Sequence, residues 1–235
     1  MKHSFYRLYV KRFLDFILSF IALIILSPIF VVLIIVGTIA MRGNPFFVQK
    51  RPGLKSNSTN QEIIFSLLKF RTMSNKKDSQ GNLLPDSERL NSYGKFLRST
   101  SLDELPSLIN IMKGDLAIVG PRPQLVRDMV FMSDEQRARH SVRPGLTGLA
   151  QVNGRNCITW ERKFEYDLEY IKDITFLNDI KIIFQTVFKV LKRSDVVREG
   201  TESDMDFGDW LLLNKNVERV TYDLKQKEAI KLLNN

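Results

Sequence analysis

Two adjacent carboxylates, Asp103 and Glu104, lie between two arginines, Arg98 and Arg122, in the stretch Arg98 to Pro123, RSTSLDELPSLINIMKGDLAIVGPRP. A carboxylate can act as a nucleophile, a base or a ligand for a divalent cation, and arginines offer the forked donors that phosphate oxygens accept. Together these residue types point to chemistry on a phosphate. A plainer explanation competes with it. Ser101 to Glu104 fits the S-x-x-E capping box, and acidic side chains suit a helix start. The spacing of Leu105, Leu108, Ile109 and Met112 predicts a short helix ending at Lys113-Gly114, with Asp103 near its N-cap and both carboxylates in its first turn.

Further arginines lie beyond the dyad. In Gly120-Pro121-Arg122-Pro123 the two prolines would hold Arg122 in a rigid, extended presentation suited to a bidentate phosphate contact. Arg143 to Gly148 and Gln151 to Asn156 are Gly-rich loops carrying Arg143 and Arg155, and such loops let backbone amides approach an anion. Neither loop has Walker A or Rossmann spacing, and each read alone is a turn. Cys157 is the only cysteine, which excludes an internal disulfide and a cysteine-based zinc site. With His3 and His140 as the only histidines, a Ser-His-Asp triad or a multi-histidine metal site is disfavoured. Catalysis must rest on carboxylates, Lys and Arg.

The net charge of +9 and a pI near 9.6 imply an anionic partner: nucleic acid, an anionic membrane surface or a phosphorylated substrate. Hydropathy narrows the choice. From Phe13 to Met41 the chain is almost continuously apolar, interrupted by Asp15, Ser19, Ser27-Pro28 and Gly37-Thr38. A straight helix of that length would reach about 43 Å, more than a bilayer's hydrocarbon needs. Pro28 removes a hydrogen bond near the middle. Lys2, Arg7, Lys11 and Arg12 precede the run, and Arg42, Lys50, Arg51 and Lys55 follow it, so both ends carry the cytoplasmic signature. These features predict a re-entrant helix-break-helix over 1–42 that turns at Ser27-Pro28 within one leaflet, with Asp15 near the interface.

The remainder reads as one compact, helix-rich mixed α/β domain over 43–194, followed by a tail, 195–235, whose role is not readable. Pro45 to Val48 and Glu62 to Leu68 are extended segments that can pair around the polar loop Lys55 to Asn60. Lys76 to Pro85 is a loop. Leu90, Tyr93 and Leu97 predict a helix over Asp86 to Ser99 that delivers Arg98 to the dyad, and Leu116 to Val119 is a buried strand candidate. Phe176 to Lys192 is amphipathic, with Leu177, Ile180, Phe184, Val187 and Leu191 on one face. It would pack on the domain or rest on the membrane surface. The tail is acidic through Glu202, Asp204, Asp206 and Asp209, then partly apolar at Trp210 to Leu213.

The basic N-terminus, the segment centred on Ser27-Pro28, KFRTM from Lys69 to Met73, LRSTSLDELPSLINIMKGD, VGPRP, RPGLTGLAQVNGRN and KVLKRS occur in one order. That combination resembles the bacterial sugar transferase family, small monotopic phosphoglycosyl transferases, from about Tyr6 to Ser194. The resemblance implies transfer of a phospho-sugar from a UDP-sugar to undecaprenyl phosphate, releasing UMP, at the cytoplasmic face of the bacterial inner membrane. It implies Asp103 as nucleophile and Glu104 as its partner, both beside Mg²⁺. It also implies phosphate or nucleotide contacts from Arg98, Arg122 and Arg155, with Arg143 a further candidate, and a helix broken at Ser-Pro that enters one leaflet of the lipid bilayer. Two other classes compete. A non-catalytic membrane scaffold would use the basic surface for anionic lipid or an acidic partner; a nucleic-acid binder would need a helix-turn-helix, RNP or zinc signature, and none occurs.

Overall fold

A computed structural model describes residues 5–154, 158–192 and 205–234. A π-helical turn, Tyr6–Val10, leads into α1 (Lys11–Met41), and together they make a helix long and apolar enough to cross a membrane. The backbone stays helical through Ser27-Pro28, where a break is expected from the sequence. The reason is local: Pro28 has no amide for the carbonyl of Ile24, and Ser27 Oγ donates to that carbonyl instead at 2.8 Å.

Both ends of α1 rest on the same domain. Near its start Asp15 Oδ1 accepts from the amide of Ile118 at 3.1 Å, and Arg12 Nη2 donates to Met112 O at 2.7 Å. Asp15 is therefore 5% exposed and tied to the domain. Near its end Leu33 packs with Phe70 and Leu97, and Tyr93 OH donates to Leu33 O at 3.0 Å. Between these contacts Ile24, Ile25 and Ile29 lie exposed.

The paired segments form an antiparallel hairpin of β1 (Phe46–Lys55) and β2 (Glu62–Phe70), with Phe47 opposite Lys69. Alternation along β2 buries Phe65 and Leu67 against Leu108, Ile111 and Leu116, and it sets Lys69 on that same face. The helix predicted over Asp86 to Ser99 is two pieces, α2 (Asp86–Arg89) and α3 (Ser92–Thr100). Leu90 leaves the helix to bridge Met73, and Asn91 recaps it by accepting from the Gly94 amide at 2.9 Å.

A 3₁₀ turn, Leu102–Glu104, precedes α4 (Ser107–Lys113), which ends at Gly114 with φ 94°. β3 (Ala117–Val119) pairs in parallel with β4 (Gly145–Thr147). Between them run α5 (Val126–Met129), α6 (Asp134–Arg137) and the 3₁₀ turn Ala138–Ser141. After β4 come α7 (Leu149–Val152), α8 (Trp160–Lys172) and α9 (Phe176–Lys192).

α9 turns Ile182 inward, fully buried with Tyr170 and Val119, while Leu177, Phe184, Val187 and Leu191 stay more than half exposed. Its apolar face is therefore not packed on the domain among the described residues. The tail does pack. α10 (Phe207–Leu213) inserts Phe207 between Trp160 and Phe164, and α11 (Arg219–Asn234) buries Ala229 against Val126, Met129 and Val130.

Candidate active site

The dyad does not cap a helix. Ser101 is the left-handed C-cap of α3, with φ 56°, and makes no side-chain cap bond to the turn that follows. The N-cap of α4 is Pro106, which places Asp103 and Glu104 in the turn before that helix and not in its first turn. Glu104 turns inward instead. Its Oε1 accepts from Lys69 Nζ at 2.8 Å and from Arg122 Nη2 at 2.9 Å. The strand alternation of β2 supplies the first cation and the Gly120 to Pro123 turn supplies the second.

These partners settle how the two carboxylates differ. Burial pushes Glu104 up, but the charges and hydrogen bonds of Arg122 and Lys69 outweigh it and hold the carboxyl below its usual range. Asp103 goes the other way. Burial first, and then the neighbouring Glu104 charge, raise it to about 6, against the opposing pull of Lys69, Arg122 and Arg98. Glu104 is thus a locked anion, and Asp103 is a more basic carboxylate that feels the same cations through space.

An open cleft lies in front of Glu104, lined among others by Arg51, Lys69, Glu104, Arg122, Pro123 and Leu146. Asp103 stands beside this cleft and not in its wall. Arg51 is a cation that sequence spacing does not mark. It donates from Nη1 to Pro123 O at 3.1 Å, and burial, then the charge of Arg122, pulls it down to about 10, still cationic near neutrality. Lys69 was legible in principle, because a lysine in register with the buried Phe65 and Leu67 needs an anionic partner.

The other expected contacts divide. Arg98 donates from Nε to Thr72 Oγ1 at 3.2 Å and lies close enough to act electrostatically on Asp103. Arg143 is used elsewhere: its Nε donates to Gly114 O at 2.8 Å, at the end of α4, and it does not line the cleft. Arg155 lies outside the described residues. The glycines of the Arg143 to Gly148 loop serve backbone contact. A Cβ on Gly148 would stand 2.1 Å from Gly120 O, and Gly145 N donates to Pro121 O at 2.9 Å. They let this loop lie flat against the arginine turn.

A divalent cation has a limited donor set here. Among the described residues no group of three or more His, Cys, Asp or Glu side chains is placed to hold a metal. Asp103 and the second oxygen of Glu104 remain, which fits Mg²⁺, an ion commonly held by one or two carboxylates plus substrate phosphates and water.

A domain with an apolar helix laid on it, and a cationic cleft lined by Glu104 with Asp103 beside it, has the parts to work on phosphate groups. The chain belongs to the bacterial sugar transferase family, which it matches over residues 6–193. It is 45% identical over 182 residues to the uncharacterized sugar transferase EpsL of Bacillus subtilis, covering 77% of this chain and 87% of that protein. It is 38% identical over 189 residues to the UDP-glucose:undecaprenyl-phosphate glucose-1-phosphate transferase of Klebsiella pneumoniae, covering 76% of this chain and 39% of that one. With the undecaprenyl-phosphate galactose phosphotransferase of Salmonella typhimurium it shares 34% identity over 197 residues, 79% of this chain and 41% of the relative. The chain thus spans about two-fifths of the length of the latter two.

Proposed function

We propose that this protein transfers a phospho-sugar from a UDP-sugar to undecaprenyl phosphate, releasing UMP and forming undecaprenyl diphosphate sugar, an opening membrane step of glycan assembly. The observation that carries this reading is the division of labour in the dyad: two cations fix Glu104, leaving Asp103 as the carboxylate available for attack. An Asp103 oxygen attacks the sugar-linked phosphorus, and the bond from that phosphorus to the UMP oxygen breaks, with UMP taking the electron pair. An oxygen of the lipid phosphate then attacks the same phosphorus, and Asp103 leaves as a free carboxylate. Lys69, Arg122 and Arg51 offset the negative charge of the diphosphate in the cleft, with Arg98 and Arg155 as further phosphate contacts. Mg²⁺ held by Asp103 and Glu104 would neutralise diphosphate charge and stabilise the departing UMP oxygens.

The bilayer completes the site. The exposed face of α9, with Leu177, Phe184 and Leu191, suits a lipid surface, because each such side chain gains about 2 kcal/mol on leaving water. We assign α1 to one leaflet, with both termini on the cytoplasmic side of the inner membrane. Support comes from the basic residues flanking it and from domain contacts at both its ends, near Asp15 and near Leu33. A cysteine placed at position 3 should resist external labelling in intact cells, and labelling there would overturn this topology. The reaction is tested by screening UDP-sugars for UMP release with detergent-solubilised protein, Mg²⁺ and undecaprenyl phosphate. One sugar should give lipid-dependent turnover; no release from any donor would favour a non-catalytic membrane scaffold.

A further inference from the structure

The arginine turn is short of donors. Pro121 and Pro123 have no backbone N–H, so apart from the Gly120 amide, which donates to Thr147 O at 2.8 Å, the turn is held through its carbonyls. Three consecutive carbonyls are each gripped from outside. Pro121 O accepts from Gly145 N at 2.9 Å, Arg122 O from Arg139 Nη2 at 2.6 Å, and Pro123 O from Arg51 Nη1 at 3.1 Å.

The middle grip has an unusual source. Arg139, in the 3₁₀ turn Ala138–Ser141, is 1% exposed, and its Nη2 also meets Asp167 Oδ2 of α8 at 2.6 Å. Asp167 is 2% exposed. A buried ion pair is a poor way to gain stability, since apolar side chains of similar volume commonly do as well or better. Among the described residues this pair also leaves Arg139 Nε, Arg139 Nη1 and Asp167 Oδ1 without hydrogen-bond partners. Arg139 does not line the cleft, so it is not placed to touch a substrate there. What it does touch is the backbone of the one residue whose side chain reaches from this turn to Glu104.

We propose that the buried Arg139–Asp167 pair is a positioning device for Arg122, fixing the turn so that the Arg122 guanidinium meets Glu104 and the donor's phosphates in one geometry. Asp167 orients Arg139, Arg139 holds Arg122 O, and the side chain of Arg122 is left free for the cleft. The proposal rests on the phosphoglycosyl transfer reading for its catalytic consequence, although the positioning itself does not.

The test uses full-length, detergent-solubilised protein in which an apolar pair replaces the ion pair, Arg139→Met with Asp167→Leu. That variant should keep its melting temperature within a few degrees, while kcat/KM for the UDP-sugar that the wild type turns over falls about 10- to 100-fold. In an Arg122→Ala background the same replacement should cost less than about threefold, because the residue it acts through is gone. Equal losses in both backgrounds would overturn the proposal. If the double variant fails to fold, Asp167→Asn, which keeps the side-chain shape, carries the same comparison. A thermal-unfolding cycle of Glu104→Gln and Arg122→Gln gives a readout independent of activity. The coupling between these two residues should fall by more than half when the Arg139–Asp167 pair is replaced, and unchanged coupling would reject positioning. A wild type that turns over no donor would defeat the transfer reading while this cycle still decides on the pair.

Discussion

Glu62 and Glu104 are both glutamates held by two partners, and they serve opposite ends. Glu62, at the start of β2, is contacted by Arg137 and by His140 Nδ1, the latter at 3.0 Å, and its side chain is 1% exposed. Both partners come from one short segment, so the cluster staples that segment to the hairpin. Glu104 draws Lys69 from 35 residues before it and Arg122 from 18 residues after it, and it sits next to a second carboxylate. Its Arg122 partner is 40% exposed and faces a cleft. The number of cations around a carboxylate therefore says little about its role. Where the partners come from, and whether they also face solvent, separates a fastening from a site.

Mutations should separate the two clusters cleanly. The largest loss is expected for Asp103→Asn, at least about 1,000-fold in UMP release with the fold intact, since the group that forms the covalent bond is removed. Arg122→Ala should cost about 100-fold in kcat/KM, and Lys69→Met a similar amount, because each removes a charge held against the developing phosphate charge. Glu62→Gln should do the reverse. Thermal unfolding should show a loss of about 2–3 kcal/mol, with turnover per folded molecule close to that of the wild type. Loss of turnover in Glu62→Gln without loss of stability would erase the distinction.

The Glu62 cluster should also lose stability in acid, the smallest of these effects. Burial, aided by the neighbouring arginines, lowers His140 from 6.5 to about 4, despite its bond to Glu62. Glu62 is held below its ordinary range: burial raises it, and the bonds from His140 and Arg137 outweigh that. Both folded-state values are depressed, so the unfolded chain takes up protons first. Stability from His140 remaining neutral should be complete above about pH 6.5 and lost as the pH falls toward 4. The Glu62 contribution follows below about 4.5. His140→Gln should flatten the upper part of that decline in melting temperature measured against pH.

Local pattern made parts of this molecule legible. The extended reading of Glu62 to Leu68 anticipated β2, and period 3.6 announced α9 with bounds that match the structure. The dyad was visible as chemistry, but its local frame was not. The capping-box spacing of Ser101 and Glu104 is real, yet Ser101 closes α3 in a left-handed conformation and Glu104 finds stronger partners in Lys69 and Arg122. The helix expected over Asp86 to Ser99 gave way to tertiary contacts, because Leu90 pairs with Met73 and Gly94 lies against the Thr72 carbonyl. The roles of Arg51, read only as a flanking basic residue, and of Arg139 went unmarked because each acts on a backbone carbonyl of the arginine turn, and nothing in local spacing marks such a contact.

The most direct test of Asp103 as the nucleophile is intact-protein and peptide mass spectrometry after incubation with the cognate UDP-sugar and Mg²⁺, without lipid phosphate. The expected result is one phospho-sugar added to the peptide carrying Asp103, absent in Asp103→Asn and discharged when undecaprenyl phosphate is supplied. An adduct on Glu104, or UMP release that occurs only with lipid present and leaves no adduct, would contradict it.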